Sequence, residues 1–227
     1  MFDISVMLDG MIQYEAEIRK AIGETFFMVG MSVVAAIIFG LPAGTLLFLC
    51  RKGQIYENRA WSWVLNSLVN IIRSFPFLLL VVFMIPLTRM IVGTAIGTLA
   101  ASIPLSVVAI ALYARQVEQA LLDVPRGVIE AARAMGASKL EMIVKFLYVE
   151  ARSGLVLGLT TSTISFISYS TVMGIVGGGG IGDFAIRYGY QRFETELMTG
   201  VIILMIVLVQ AIQYAGTTIS RLLDKRS

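Results

Sequence analysis

These 227 residues predict an all-α integral membrane protein with five transmembrane helices, on three observations. The chain is 57% hydrophobic and only 15% charged, against about 25% charged residues in an ordinary soluble domain. Five apolar segments reach the roughly 20 residues that a helix needs to cross a bilayer. The basic residues are shared unequally between the two sets of connecting segments, as the positive-inside rule requires.

The composition also excludes several classes. Eighteen Lys and Arg against fifteen Asp and Glu leave a net charge of +3, which is no nucleic-acid signal. The one cysteine, Cys50, rules out an intrachain disulfide framework, and with no histidine a zinc or haem site has too few ligands. Residues 1–20 lack a basic stretch followed by a short apolar run and a small-residue cleavage site, so no cleavable signal peptide is expected.

Residues 1–20 form an extracytoplasmic segment before the first span. Phe2, Ile4, Met7, Leu8, Met11 and Ile12 suit one apolar face of a helix lying in the interface, and a frayed terminus is the alternative. The spans follow at about 21–50, 63–87, 91–113, 154–173 and 197–219. The 50–62 loop, the 114–153 loop and the C-terminal tail hold twelve Lys and Arg, whereas the N-terminus, the 88–90 turn and the 174–196 loop hold five. That bias puts the N-terminus outside and the C-terminus, with the tail 224–227, in the cytoplasm.

The second span carries Arg73 and Pro76. An arginine inside a span either serves the transported path or snorkels to headgroups. No Asp, Glu or His falls inside the five apolar cores, and Glu24 and Glu196 sit at their edges. Carriers driven by ion gradients commonly place such groups at mid-membrane, so another source of energy is expected.

A charged segment, about 124–151, interrupts the apolar chain before the fourth span. Pro125 suits the start of a helix, on which Val128, Ile129, Ala132 and Met135 fall near one face. Gly136 suits a left-handed helix end. Ser138 and Glu141 form a capping-box pattern for a second helix, with Leu140, Ile143, Val144, Leu147 and Ala151 as its apolar stripe. The first helix is low and small-sided, with Ala131, Ala132, Ala134 and Ala137 around it and Glu130 and Arg133 at its rim. It suits docking into a groove of another protein, and equally a connector resting on headgroups.

The fourth span carries nine hydroxyls from Thr160 to Thr171. Gly154, Gly158 and Ser162 make a small-residue packing ridge. Taken together the hydroxyls suit a polar, uncharged path, with Ser162, Ser165, Tyr169, Met173 and Arg73 as candidate lining. Gly177, Gly178, Gly179 and Gly180 are no phosphate loop, because no Lys-Ser or Lys-Thr follows at the required spacing. They suit a mobile outer loop, as a gate or as a flexible turn. "IRYGYQRF" from Ile186 has the composition of an interfacial aromatic belt.

The order Glu130-Ala131-Ala132, three residues, then Gly136-Ala137 resembles the EAA motif of ABC importer permeases. "NIIRSFPFLLLVVFMIPLTRMIVGTAIGTLAASIPL" from Asn70, "ARQVEQALLDVPRGVIEAARAMGA" from Ala114 and "VGGGGIGDFAIRYGYQRF" from Val176 are similar to the permease subunits of methionine importers, and the likeness runs from about Gly23 to Leu223. The resemblance implies a permease domain over 21–223 that works as a homodimer in the cytoplasmic membrane of a bacterium. Glu130, Ala131, Ala132, Arg133, Met135, Gly136 and Ala137 would be the coupling helix, seated in one of two cytoplasmic ABC ATPase subunits. It also implies an extracytoplasmic binding protein or lipoprotein, for which the Gly177–Gly180 loop, if not a gate, and the "IRYGYQRF" segment, if not an aromatic belt, are candidate contacts. No cofactor, metal or catalytic residue is expected in this chain, and ATP and Mg belong to the ATPase partner. Many members of the family have a proline about ten residues after the motif glycine. Here Leu147-Tyr148-Val149-Glu150-Ala151 stands there instead, which lets the second helix continue unbroken. A permease for another small solute and a stand-alone carrier stay open.

Overall fold

The computed structural model describes residues 4–224, so Phe2, Lys225 and Arg226 lie outside the described residues. All regular structure among them is helical. In chain order the helices are α1 (Ile4–Gln13), α2 (Glu15–Ala35), α3 (Leu41–Leu49), α4 (Arg59–Ser74), α5 (Phe77–Val92) and α6 (Thr98–Leu122). After these come α7 (Arg126–Ala134), α8 (Lys139–Glu141), α9 (Tyr148–Ile175), α10 (Gly180–Phe184) and α11 (Thr195–Leu223). Wide π-turns carry α2 into α3, α8 into α9, and α10 on to Tyr190. Three stretches, Glu15–Leu49, Thr98–Leu122 and Thr195–Leu223, are long and apolar enough to cross a membrane. There are up to five if two bent pairs, α4 with α5 and Lys139–Ile175 with Gly180–Tyr190, each count as one span.

Several expectations need correction. The 63–87 segment is not one helix: α4 stops at Ser74 and α5 starts at Phe77. Pro76 has no N–H to continue the ladder and disfavours helical geometry in the residue before it. The third span does not start at 91. Residues 93–97 form a turn with positive φ at Gly93 and Gly97, and α6 then runs to Leu122, so Ala114–Leu122 is helix rather than loop. In α1 the predicted apolar face is split. Met7 and Met11 turn inward, and the structure leaves Leu8 and Ile12 exposed.

The described chain divides into two compact units. One comprises the chain up to Val34, Phe75–Val107 and Thr163–Ile212. Its interior is built from Ile18, Ala21, Ile181, Phe184, Leu197 and Val201 and, separately, from Met28, Val81, Ala101, Leu105 and Met173. The other comprises Ala35–Ser74, Val108–Ser162 and the chain from Gln213. There Leu47, Val69, Ala111 and Ala114 form the core. Gly44 lets α3 lie against α6, since a Cβ there would overlap the Ala114 carbonyl and come within 2.6 Å of Val117 Cβ. The ridge of α9 also packs on α6: a Cβ at Gly158 would stand 2.9 Å from Gln116 Cβ, and one at Gly154 3.1 Å from Ala120 Cβ.

Candidate functional site

The polar segment folds into two helices with one sharp bend. Pro125, at φ −58° and ψ 135°, precedes α7 and accepts from the Val128 N–H at 3.0 Å. The end of α7 closes with two reversed bonds. The Gly136 N–H donates to the Arg133 carbonyl and the Ala137 N–H to the Ala132 carbonyl, each at 3.0 Å. This Schellman pattern needs a left-handed residue, and Gly136 stands at φ +73°. Only Ala137 separates it from Ser138, the cap of α8. The Glu141 N–H donates to Ser138 Oγ at 3.3 Å, and the Ser138 N–H donates back to Glu141 Oε2 at 3.1 Å, a reciprocal capping box. Lys145 Nζ holds the other carboxylate oxygen at 2.9 Å. The hydrogen bond from Lys145, then those from Ser138, pull the Glu141 carboxyl down to about 2 from its ordinary 4.5.

What this element offers outward is specific. Ala132 is fully buried, whereas Glu130, Ala131, Arg133, Met135 and Gly136 are exposed. Neither the Glu130 carboxylate nor the Arg133 guanidinium has a hydrogen bond or ion pair among the described residues. Met135, which shares a face with the buried Ala132 by periodicity, is 67% exposed because it caps the helix end rather than continuing it. The apolar stripe of the second helix also changes. Leu147 and Ala151 are buried, but Leu140 and Val144 are 70% and 50% exposed. The π-turn Met142–Leu147 adds a residue to one turn and rotates everything before it. The helix does continue unbroken from there into α9. Lys139 lies 4.4 Å over the Tyr56 ring and ties α8 to the loop before α4.

The other predicted residues are spread over α4, α9 and the turn after it. Arg73 is exposed at the last turn of α4, beside the break, and not within a continuous span. In α9, Ser162 and Met173 are buried, and Ser165 and Tyr169 are half-buried, with the Tyr169 ring 4.6 Å from that of Phe77. The hydroxyl count loses its force as a path signal. Thr160, Thr161 and Ser168 donate to carbonyls one turn back, and Ser170 and Thr171 do the same three residues back. A helix can satisfy such groups against lipid or protein alike. Ser162 Oγ is buried without a hydrogen-bond partner among the described residues.

The glycine run is a built turn, not a loose loop. Gly177, Gly179 and Gly180 all have φ near +80°. The Gly178 N–H donates to the Met173 carbonyl at 2.8 Å, and the Gly97 N–H to the Gly177 carbonyl at 2.9 Å. Gly180 opens α10, whose first N–H groups are capped from α2. Glu24 accepts from the Gly180 N–H at 2.7 Å, and Thr25 from the Ile181 N–H at 2.9 Å. A cleft of about 400 Å³ opens beside this turn, with Glu17, Lys20, Asp183 and Arg187 on its walls. The aromatic segment is helical too. Tyr188 stacks on Phe184 at 4.7 Å and meets Tyr14 at 5.1 Å, with Arg192 4.4 Å over its ring.

Sequence reasoning missed Glu24 as a cap, and Glu118 altogether. Hydropathy places Glu118 in the 114–153 loop, yet it is buried near the end of α6. The signal was present: Val117, Ala120 and Leu121 continue the apolar periodicity past Tyr113, with Arg115 and Glu118 spaced to pair.

The family described as "binding-protein-dependent transport system inner membrane component" matches residues 36–227. A probable D-methionine transport system permease protein of Vibrio cholerae is 43% identical over 203 residues, which is 89% of this chain and 90% of that one. A methionine import system permease protein of Bacillus subtilis is 37% identical over 210 residues, 92% and 95% of the two chains. Among solved structures, a chain of the MetNI methionine ABC transporter in inward-facing conformations superposes with a TM-score of 0.91 at 42% identity, covering 94% of this chain and 99% of that one.

Proposed function

The chain belongs to the binding-protein-dependent transport system inner membrane components, and on that footing we propose that it is the membrane-spanning subunit of a bacterial ATP-driven methionine importer. It is a transport component rather than an enzyme. Its relatives in Vibrio cholerae and Bacillus subtilis carry methionine permease names over nine-tenths of their length, which supports the substrate.

The observation that carries the mechanism is the bent element α7–Gly136–α8. It presents an exposed, small-sided helix whose rim charges, Glu130 and Arg133, have no partner among the described residues. This is the seat of a cytoplasmic ATPase subunit, with Glu130, Ala131, Arg133, Met135, Gly136 and Ala137 at the contact and Ala132 anchoring the helix from behind. Two copies of the chain pair around the path, each with one ATPase subunit, and ATP and Mg are held there and not here. Five spans, the bent pairs counting as one each, put the N-terminus outside and the C-terminus in the cytoplasm. The basic-residue bias supports that orientation. Residues 21–223 form the permease domain, 1–20 an extracytoplasmic segment and 224–227 a cytoplasmic tail. The Gly177–Gly180 turn is the outer closure, and the cleft beside it faces an extracytoplasmic binding protein. Along the path, the half-buried Ser165 and Tyr169 and the exposed Arg73 are the lining. Ser162 and Met173, which the chain buries, are not.

The test is reconstitution of the chain with its ATPase subunits and binding protein in phospholipid vesicles. Labelled methionine should enter only with ATP, and excess unlabelled methionine should compete. Uptake without the ATPase subunits would overturn the reading. Competition by a different amino acid with none by methionine would move the substrate and leave the mechanism standing.

A further inference from the structure

A buried ion cluster stands at the foot of α6. Glu118 is only 2% exposed. It accepts from Arg115 one turn earlier through one oxygen, and from Arg51, just past α3, at 3.3 Å through the other. Arg115 reaches further, to α4. Its Nη1 donates to Asn66 Oδ1 at 3.0 Å and its Nη2 to Asn70 Oδ1 at 2.8 Å. Those asparagines are four residues apart, so one guanidinium grips the same face of α4 on successive turns.

Apolar packing alone would not set this register. Leu65, Val69 and Ile72 of α4 meet Leu47, Ala111 and Ala114, and such contact is non-directional. The ion cluster is directional, and breaking it would strand a buried charge. It therefore fixes both the rotation and the height of α4 on α6. Its place matters as well. Glu118 lies four residues before the end of α6, and only Asp123, Val124 and Pro125 separate that end from α7. A displacement of α7 passed on through its first turn enters α6 beside the cluster.

We propose that Glu118, with Arg115 and Arg51, is a positioning joint that makes α4 move with the foot of α6, so that movement of the docked α7 reaches the membrane helices and is not absorbed by local slippage. This rests on the ATPase-driven reading above.

The experiment uses the complex with its ATPase subunits. Spin labels are placed at Arg126→Cys on α7 and Trp63→Cys on α4, in a Cys50→Ala background. The interlabel distance should stay narrow and unchanged when nucleotide is trapped in the ATPases. In Glu118→Ala it should broaden or shift by about a helical turn, ~5 Å. In vesicles, that variant should keep its ATP hydrolysis while methionine taken up per ATP falls about tenfold. A purely structural role would instead lower hydrolysis and uptake together, through loss of assembled complex. Asn70→Ala removes one exposed arm of the grip and should give a smaller loss of the same kind. It decides the matter should Glu118→Ala not assemble. A wild-type distance that shifts on nucleotide trapping, or variants whose distance and ratio match wild type, would overturn the joint. Absence of ATP-driven methionine uptake by the wild type would count against the importer reading instead, because the distance measurement needs no solute.

Discussion

Gly136 shows how much one backbone angle decides. At φ +73° it closes α7 and turns the chain into α8, yet a Cβ there would meet nothing within 4 Å. Size is therefore not the constraint; the left-handed conformation is. Gly136→Asn should keep most of the uptake, since asparagine tolerates that region. Gly136→Val, β-branched and strained there, should abolish uptake while the chain still inserts, as membrane fractionation with a transport assay would show. Equal uptake by both variants would remove the bend from the mechanism. Glu130 makes the complementary case. It is exposed and unpartnered, so Glu130→Lys should change the stability of the isolated chain by less than about 0.5 kcal/mol. Binding of the ATPase subunit, measured by co-purification in mild detergent, should nonetheless be lost. A fall in thermal stability with docking intact would reverse that assignment.

At the scale of elements, what was legible in the sequence was whatever depends on local chemistry. The cap at Ser138 and Glu141, the glycine stop at Gly136 and the proline start at Pro125 all follow from backbone chemistry within a few residues; the first two stand at the residues named, and Pro125 is the cap just before α7 rather than part of its first turn. The misses share a different cause. Hydropathy averages over a window, so it ran α4 and α5 together across Pro76 and ended α6 at its first polar turn. The π-turn at Met142–Leu147 shifted a stripe that a strict 3.6-residue period had placed. The glycine run looked loose because its partners, Glu24 and Thr25, lie 156 residues away. Helix-on-helix contacts were half legible: the ridge of Gly154 and Gly158 was visible, its partner α6 was not. Gly44 gives the sharpest test of that packing. A methyl group there meets the backbone of α6 and not a flexible side-chain end. Gly44→Ala should thus destabilise the chain by about 2 kcal/mol or more, seen as a lower melting temperature in detergent. An unchanged midpoint would mean that α3 and α6 are not held at this distance.

At the scale of the whole molecule, the source of energy is the question the fold bears on most directly. A carrier driven by a proton or sodium gradient needs an ionisable group that can change state or partner within the membrane. Two of the candidates are engaged. Glu24 caps α10, and Glu118 is shared by two guanidiniums. Releasing Glu118 to shuttle an ion would cost a buried charge its partners, and releasing Glu24 would leave the first N–H of α10 uncapped. The proposed docking helix carries rim charges, Glu130 and Arg133, that have no partner among the described residues. On the proposed reading, work enters there and not through an ion-binding side chain. In vesicles containing the chain, its ATPase subunits and a binding protein, methionine uptake should persist at the same rate with a protonophore present and sodium absent, as long as ATP is supplied. In vesicles loaded with an imposed proton or sodium gradient but no ATP, it should be absent. Gradient-driven uptake without ATP would show that Glu24 or Glu118 leaves its partners during transport. The capping and clamping roles assigned to them would then be those of one resting state only.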